Sequence, residues 1–354
     1  MSEIRREPSP ASAGHAGHAS HASLGLAGAG VALVVLIALG IVYGTETISL
    51  ARVLGDPDSL DRAIALRVRL PRVLLAAIAG GGLAMVGVAF QAILRNPLAE
   101  PYTLGVSGGA AFGATIAIVA GANAVTIAGA SLVPLAAFAG GVAATALVYG
   151  LARVGQGTAA PGHVAGTSIL LAGIVVNAIA GAGITFLKTL VSAMKAQELL
   201  FWLMGFLDVP SLTSLVSVAA YVALGAAVLF ADAGRLNLLA LGDEPAQHLG
   251  VDVRALERRT FVIGSLVVGA IVSTTGLIGF VGLIVPHGLR RLLGPDTRVL
   301  LPASLLAGGA ALVACDLLSR ALFHWLHTEP PVGAVTALLG GPMFLAVLRK
   351  RGGR

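Results

Sequence analysis

Polar side chains capable of recognition or binding are gathered in three places along an otherwise apolar chain of 354 residues. One is a continuous polar island, Asn237 to Arg259, reading NLLALGDEPAQHLGVDVRALERR. Gly242 breaks the preceding segment, Asp243 is placed to cap a short helix with Glu244 and Pro245 in its first turn, and Gly250 to end it. A second short helix is expected next, capped by Asp252, with Val253 and Leu256 on one face and Arg254, Glu257 and Arg258 around the other. Such a stretch is either an ordinary solvated loop or a surface that touches another protein. The second group is arginine: Arg67, Arg69 and Arg72 in RVRLPR, and Arg320 four residues after Asp316. The i, i+4 spacing suits a local ion pair, while the remaining guanidinium groups suit headgroup anchoring or bidentate contact with a partner's carboxylates. The third is His15, His18 and His21 in the low-complexity run PSPASAGHAGHASHAS, a tract able to bind a transition metal or haem although nothing fixes three imidazoles in one geometry.

Covalent chemistry finds no support. No GxxxxGK[ST] occurs and the only lysines are Lys188, Lys195 and Lys350, so the chain cannot be a P-loop ATPase, and any ATP must be handled by a partner. No Ser/His/Asp or paired-carboxylate arrangement supports catalysis, and the apolar runs lack Cys/His metal spacing. The single cysteine, Cys315, excludes an internal disulfide and reads as a packing thiol.

The elements that position these groups are membrane helices. A hydrophobic fraction of 56%, 11% charge and a mean hydropathy of +0.91 leave too little polar sequence to cover a soluble globule. About 20 apolar residues form a helix that crosses roughly 30 Å of hydrocarbon. About ten such runs occur, near 24–44, 72–94, 105–121, 131–152, 166–187, 211–231, 259–277, 279–293, 299–320 and 332–348, the third and eighth short. Gly80-Gly81-Gly82, Gly108-Gly109 and Gly140-Gly141 point to close helix packing. With ten spans and a cytoplasmic N-terminus, the inner side collects 15 Lys and Arg against 8 outside, which places the polar island and both termini in the cytoplasm. The same inner arginines account for a pI near 10.1 without nucleic acid. Residues 1–23 read as a disordered His-containing cytoplasmic tail, 24–350 as the transmembrane domain and 351–354 as a cytoplasmic tail; the first run lacks an A-x-A site and is read as a retained helix.

Two segments break the helical pattern. RNPLAEPYTLGVSGGAAFGA, from Arg95 to Ala114, carries Pro97 and Pro101, which forbid a continuous helix. Thr274 to His287 is interrupted by three glycines and by Pro286, with His287 and Arg290 as a packing pair. Irregular backbone at membrane depth requires protein cover or an aqueous cavity, and a transport pathway meets that condition.

RLPR at Arg69 to Arg72, RNPLAEP at Arg95 to Pro101, LGVSGG at Leu104 to Gly109, LLAG at Leu170 to Gly173, FWLMG at Phe201 to Gly205, LGDEPAQHLGV at Leu241 to Val251 and GLIGFVGLIVPHGLR at Gly276 to Arg290 resemble the FecCD family over about residues 24 to 350. These are permease subunits of binding-protein-dependent ABC importers for iron siderophores, haem and cobalamin. The resemblance implies an all-α, polytopic type II importer permease fold with two inverted related halves. It also implies a homodimer with the pathway on its two-fold axis, two ATP-binding-cassette ATPase subunits and an external substrate-binding protein, in a bacterial inner membrane. ATP and Mg would then sit on the partners, with no cofactor in this chain. By similarity, the island at 237–259 seats on the ATPase, with its core at Gly242, Asp243, Glu244, Pro245, Ala246, Gln247, His248, Leu249, Gly250 and Val251. Arg69, Arg72 and Arg320 match positions that receive acidic residues of the binding protein. Asn96 and Leu98, with Gly166 and Thr167, match gate segments, and Ser107 and Asn177 join Thr167 as pathway residues.

The expected function is translocation of an iron chelate, a ferric siderophore or haem, by alternating access, with cobalamin as the alternative cargo and an ion-coupled secondary transporter as the alternative class. The latter needs ionisable groups within its spans, and here the spans hold almost none, Asp316 being near an end and four residues before Arg320.

Overall fold

A computed structural model describes residues 11–352 apart from 123–125, 128–129, 155–165 and 210. Fourteen α-helices follow one another among the described residues: α1 (Ala11–Val42), α2 (Leu50–Gly55), α3 (Leu60–Ala63), α4 (Leu70–Ile93), α5 (Val106–Val119), α6 (Leu132–Val154), α7 (Gly166–Thr189), α8 (Ala193–Met204), α9 (Leu212–Leu239), α10 (Asp243–His248), α11 (Val253–Thr275), α12 (Val281–Leu293), α13 (Thr297–Leu326) and α14 (Val332–Gly352). A π-helical turn, Ile64–Arg69, leads into α4, and a 3-10 turn, Pro101–Leu104, into α5. Between α5 and α6, Thr126–Ile127 pairs antiparallel with Ala130–Ser131. Each of the ten expected spans coincides with a helix: α1, α4, α5, α6, α7, α9 and α11 to α14.

Helix α4 lies at the centre. It continues without a break from the π-helical turn, Pro71 standing just after that turn, and most of its residues are buried. It meets α13 backbone to backbone: a Cβ at Gly80 would stand 2.3 Å from the Gly308 carbonyl oxygen, and one at Gly308 2.4 Å from that of Gly80. Helices α5 and α6 touch in the same way through Gly109 and Gly140. In lipid no hydrophobic effect separates helix from solvent, so close van der Waals approach through small residues does the holding.

Helices α4 and α11 run antiparallel, the Phe90 ring meeting that of Phe261 at a tilt at one end while Gly82 faces Ile271 further along. Each is followed by a broken segment and a short helix, α5 of 14 residues or α12 of 13, each ~20 Å long and unable to cross ~30 Å alone. The recurrence of this unit in opposite directions is the inverted relation of the two halves.

Four local expectations are corrected. The polar island holds one short helix, α10, whose N-cap is Gly242 and whose first residue is Asp243. The expected second helix is the opening of α11: Asp252 does cap it, accepting from Ala255 N at 3.0 Å, but no breaker separates Val253 from the apolar run beyond. Pro286 lies inside α12, and the chain breaks earlier, at Gly276 to Phe280; the Gly282 carbonyl that Pro286 leaves without its helical donor is 3.4 Å from the Gln91 amide nitrogen. Finally, the backbone of residues 11–22, expected to be disordered, continues α1. Five alanines among these twelve residues favour helix, and a helix already nucleated in the span extends at low cost. Residues 1–10 lie outside the described part.

Candidate functional site

The start of α4 and the end of α13 form one end of the molecule, the arginine end; α10 lies at the other, the island end. At the arginine end the π-helical turn turns Arg69 inward, and it is 5% exposed. Its guanidinium donates to the carbonyls of Val42 at 2.6 Å and Ile41 at 3.2 Å, and to that of Glu46. Arg320, 3% exposed, donates to the carbonyls of Gly40 at 2.8 Å and Tyr43 at 2.9 Å, and pairs with Asp316 at 2.7 Å. Gly40, Ile41 and Val42 are the last residues of α1, whose carbonyls have no donor within their own helix. Two guanidinium groups supply those donors and place positive charge at the negative end of the helix dipole. Asp316 is fully buried, and its other oxygen receives Arg72 at 2.7 Å; Arg72 also pairs with Glu329. The anticipated Asp316–Arg320 pair is therefore present. Arg69 and Arg320, expected to meet an external partner, are held in this subunit by the end of α1 and by a desolvated carboxylate. Arg72 alone of the three reaches open space.

That space is a cavity of about 980 Å³ lined by Arg67, Arg72, Glu198, Phe201, Trp202, Phe206, Asp208 and Glu329. Its aromatic wall comes largely from α8, which hydropathy does not reveal because Lys195, Gln197 and Glu198 interrupt it. Lys195 donates to the Val119 carbonyl at 3.2 Å and fastens α8 to the end of α5.

At the island end α10 is anchored by buried Ala246 and Val251 and presents Glu244, Pro245, Gln247, His248 and Leu249 outward. Gly250 (φ +85°) turns the chain so that Val251 N donates back to the Ala246 carbonyl at 3.0 Å, closing the helix. A short helix held by its back, with an exposed leucine beside charge, is suited to protein contact. Asp243 forms an ion pair with Arg95, the first residue of the proline-broken segment. Arg95 has φ +46°, a conformation costing a non-glycine residue on the order of 1–3 kcal/mol. Nearby Glu257 is buried at the start of α11, and burial lifts its carboxyl to about 7, with the Arg95 charge acting in the opposite sense.

The two broken segments meet. Asn96 folds its own loop, its side-chain oxygen accepting from Leu98 N and its carbonyl from Ala99 N, both at 3.0 Å. Glu100 accepts from Phe280 N, and the Tyr102 hydroxyl from Ile278 N at 2.7 Å. Phe280, at φ +68°, is a second strained non-glycine residue. The Tyr102 carbonyl accepts from Ser107 Oγ at 3.0 Å and Asn177 Nδ2 at 2.9 Å. Ser107 and Asn177, expected along a pathway, thus serve to satisfy the irregular backbone, and Ser107 is 5% exposed. Asn96, Leu98 and Pro97 stand at the island end, where Pro97 and Leu98 join His287 around a cavity of about 140 Å³. Gly166 and Thr167 open α7; the Thr167 side chain lies outside the described part, as do those of His15, His18 and His21. Among the described residues no group of three His, Cys, Asp or Glu side chains is placed to hold a metal.

Sequence reasoning missed Asp232, 1% exposed in α9, which pairs with Arg235 at 2.8 Å and with Arg259 and so pins α9 to α11. The available signal was a single carboxylate inside an apolar run. The Glu100 and Tyr102 contacts were also missed, since their partners lie nearly 180 residues away.

Residues 32–350 match the model of the FecCD transport family. The cobalamin import system permease protein of Halobacterium salinarum is 42% identical over 320 residues, 90% of this chain and 82% of that one. The hemin transport system permease protein of Yersinia pestis is 38% identical over 324 residues, 90% of this chain and 94% of that one. A solved structure described as an inward-facing conformation of a metal-chelate type ABC transporter superimposes with a TM-score of 0.79 at 30% identity, covering 92% of this chain and 98% of that one.

Proposed function

The chain belongs to the FecCD transport family and is a permease subunit of an ABC importer, and we propose that its cargo is an iron chelate, haem or a ferric siderophore. The likeness to the hemin permease over nearly that protein's whole length carries this reading. A second reading, cobalamin, is favoured by the 42% identity to the cobalamin permease. Both cargoes are bulky metal chelates, and a cavity of about 980 Å³ with an aromatic wall suits such a molecule better than a bare ion.

In this mechanism two copies of the chain enclose the pathway in an inner membrane, with both termini cytoplasmic. Two ATPase subunits seat on Gly242 to Val251, and a binding protein delivers cargo at the arginine end. Of the three matched docking arginines, Arg72 is the one open to the cavity, with exposed Arg67 beside it. ATP closure moves α10, the subunits rock, and the meeting broken segments, with Asn96 and Leu98, open or close the inner end. The permease supplies no covalent chemistry.

Uptake into proteoliposomes holding this chain, its ATPase and its binding protein tests the reading, with haem, a ferric siderophore and cobalamin compared side by side. ATP-dependent accumulation of haem or the siderophore supports the first reading, and of cobalamin alone the second. Uptake of none by an assembled complex with working ATPase rejects both.

A further inference from the structure

Arg95 joins three features that the transport reading leaves separate. It begins the broken segment immediately after α4, its backbone is held at φ +46°, and its side chain reaches away from that segment to Asp243, the first residue of α10. A partly exposed ion pair on an ordinary backbone would contribute little, and these side chains are 39% and 24% exposed. This pair instead joins α10 to a residue in an unfavourable conformation at the point where the chain leaves its helix. Glu257, on α11, is a second carboxylate within electrostatic range of the same guanidinium. Beyond Arg95 the segment is not free to absorb a displacement. Asn96 closes it on Leu98 and Ala99, Glu100 and Tyr102 tie it to Phe280 and Ile278, and the Tyr102 carbonyl ties it to Asn177 of α7.

We infer that Arg95 is a positioning residue that carries displacement of α10 into the paired broken segments: the Asp243 carboxylate pulls the Arg95 guanidinium, and the strained backbone at Arg95 is the hinge that turns. Movement of α10 then draws residues 96–104 and the Ile278 to Phe280 turn as one body. Release from Asp243 leaves Arg95 within electrostatic range of Glu257. The inference rests on the reading that α10 receives the ATPase and that the broken segments gate the pathway.

Hydrogen exchange on the permease assembled with its ATPase subunits in nanodiscs, with and without ATP and vanadate, tests it. In the native complex, trapping should alter exchange at 243–251 and at the amides of Leu98, Ala99 and Phe280, each by about tenfold. Asp243→Asn and Arg95→Gln should keep the response at 243–251 and reduce that at Leu98, Ala99 and Phe280 to within about twofold of none. Arg95→Lys, which retains the charge, should restore it. Should Asp243→Asn fail to assemble, Arg95→Gln leaves α10 untouched and supports the same comparison. A full response at Ala99 and Phe280 in Arg95→Gln overturns the inference and leaves the coupling role of α10 standing. A native complex in which 243–251 does not respond to trapping overturns both.

Discussion

At the arginine end Asp316 is fully buried, and its two oxygens are divided between Arg72 and Arg320; at the island end Asp243 meets Arg95 with both side chains partly in solvent. The ion types are the same, and the difference lies in water. A desolvated carboxylate with two guanidinium partners has no alternative to them, so breaking the group costs far more than forming it gained. A half-solvated pair can exchange one partner for another, or for water, at little cost. Backbone conformation divides in the same direction: Arg95 and Phe280, two of the three non-glycine residues at positive φ among those described, lie on the broken segments. The molecule is therefore fastened at one end and articulated toward the other, an arrangement suited to a subunit that rocks.

Breaking the fastened end should have the largest effect. Arg320→Ala leaves Asp316 with one partner fewer and α1 with uncapped carbonyls, and is expected to lower stability by about 3–5 kcal/mol, read as thermal unfolding in detergent. An unchanged midpoint would remove the basis of the contrast. Replacing Asp243 to Leu249 with a Gly/Ser linker should do the reverse, lowering uptake per ATP by about tenfold or more while the unfolding midpoint moves little. Retained transport would show that the articulated end is not where force enters. Arg67→Glu sharpens the distinction within one short turn: it should weaken binding-protein association several-fold, more so at low salt, and leave stability unaltered, whereas Arg69→Glu should compromise folding. Normal docking of the Arg67 variant at low salt would exclude that face.

A smaller effect concerns pH. The Glu257 carboxyl rises from 4.5 to about 7 on folding, so the native state holds a proton that the unfolded state has released. Stability should fall as pH rises through that window and level off above about 7. Melting curves at pH 5, 6, 7 and 8 should show this slope, and Glu257→Gln should flatten it; an equal slope in the variant would exclude Glu257 as its source. Deleting residues 2–22 is expected to leave uptake unchanged, although residues 11–22 extend α1.

How much of this could be read from the sequence depends on the range of the interaction concerned. The helices at the ten apolar runs were legible because each carries its run within itself, and Asp252 because a cap needs only its own next three residues. Helix α8 was not legible, since Lys195 and Glu198 interrupt its hydropathy and its aromatic face becomes evident only where it walls the cavity. Proline and glycine marked both breaks, but nothing local indicates that Glu100 caps a strained phenylalanine in the other half. Charge spacing anticipated Asp316 with Arg320, yet not that Arg69 and Arg320 would be consumed by the end of α1, because unsatisfied helix carbonyls are invisible until the helix end is placed beside its neighbours.

The contact between Gly80 and Gly308 also has a meaning in time. A chain made at roughly 5–20 residues per second presents Gly308 roughly 10–45 s after Gly80. During that interval the glycine-lined face of α4 stands in lipid without its partner, and Arg72 waits for Asp316 over the same delay. The centre of the finished subunit is thus among its last contacts to close in biosynthesis, and a chain truncated before α13 offers membrane proteases an exposed seam.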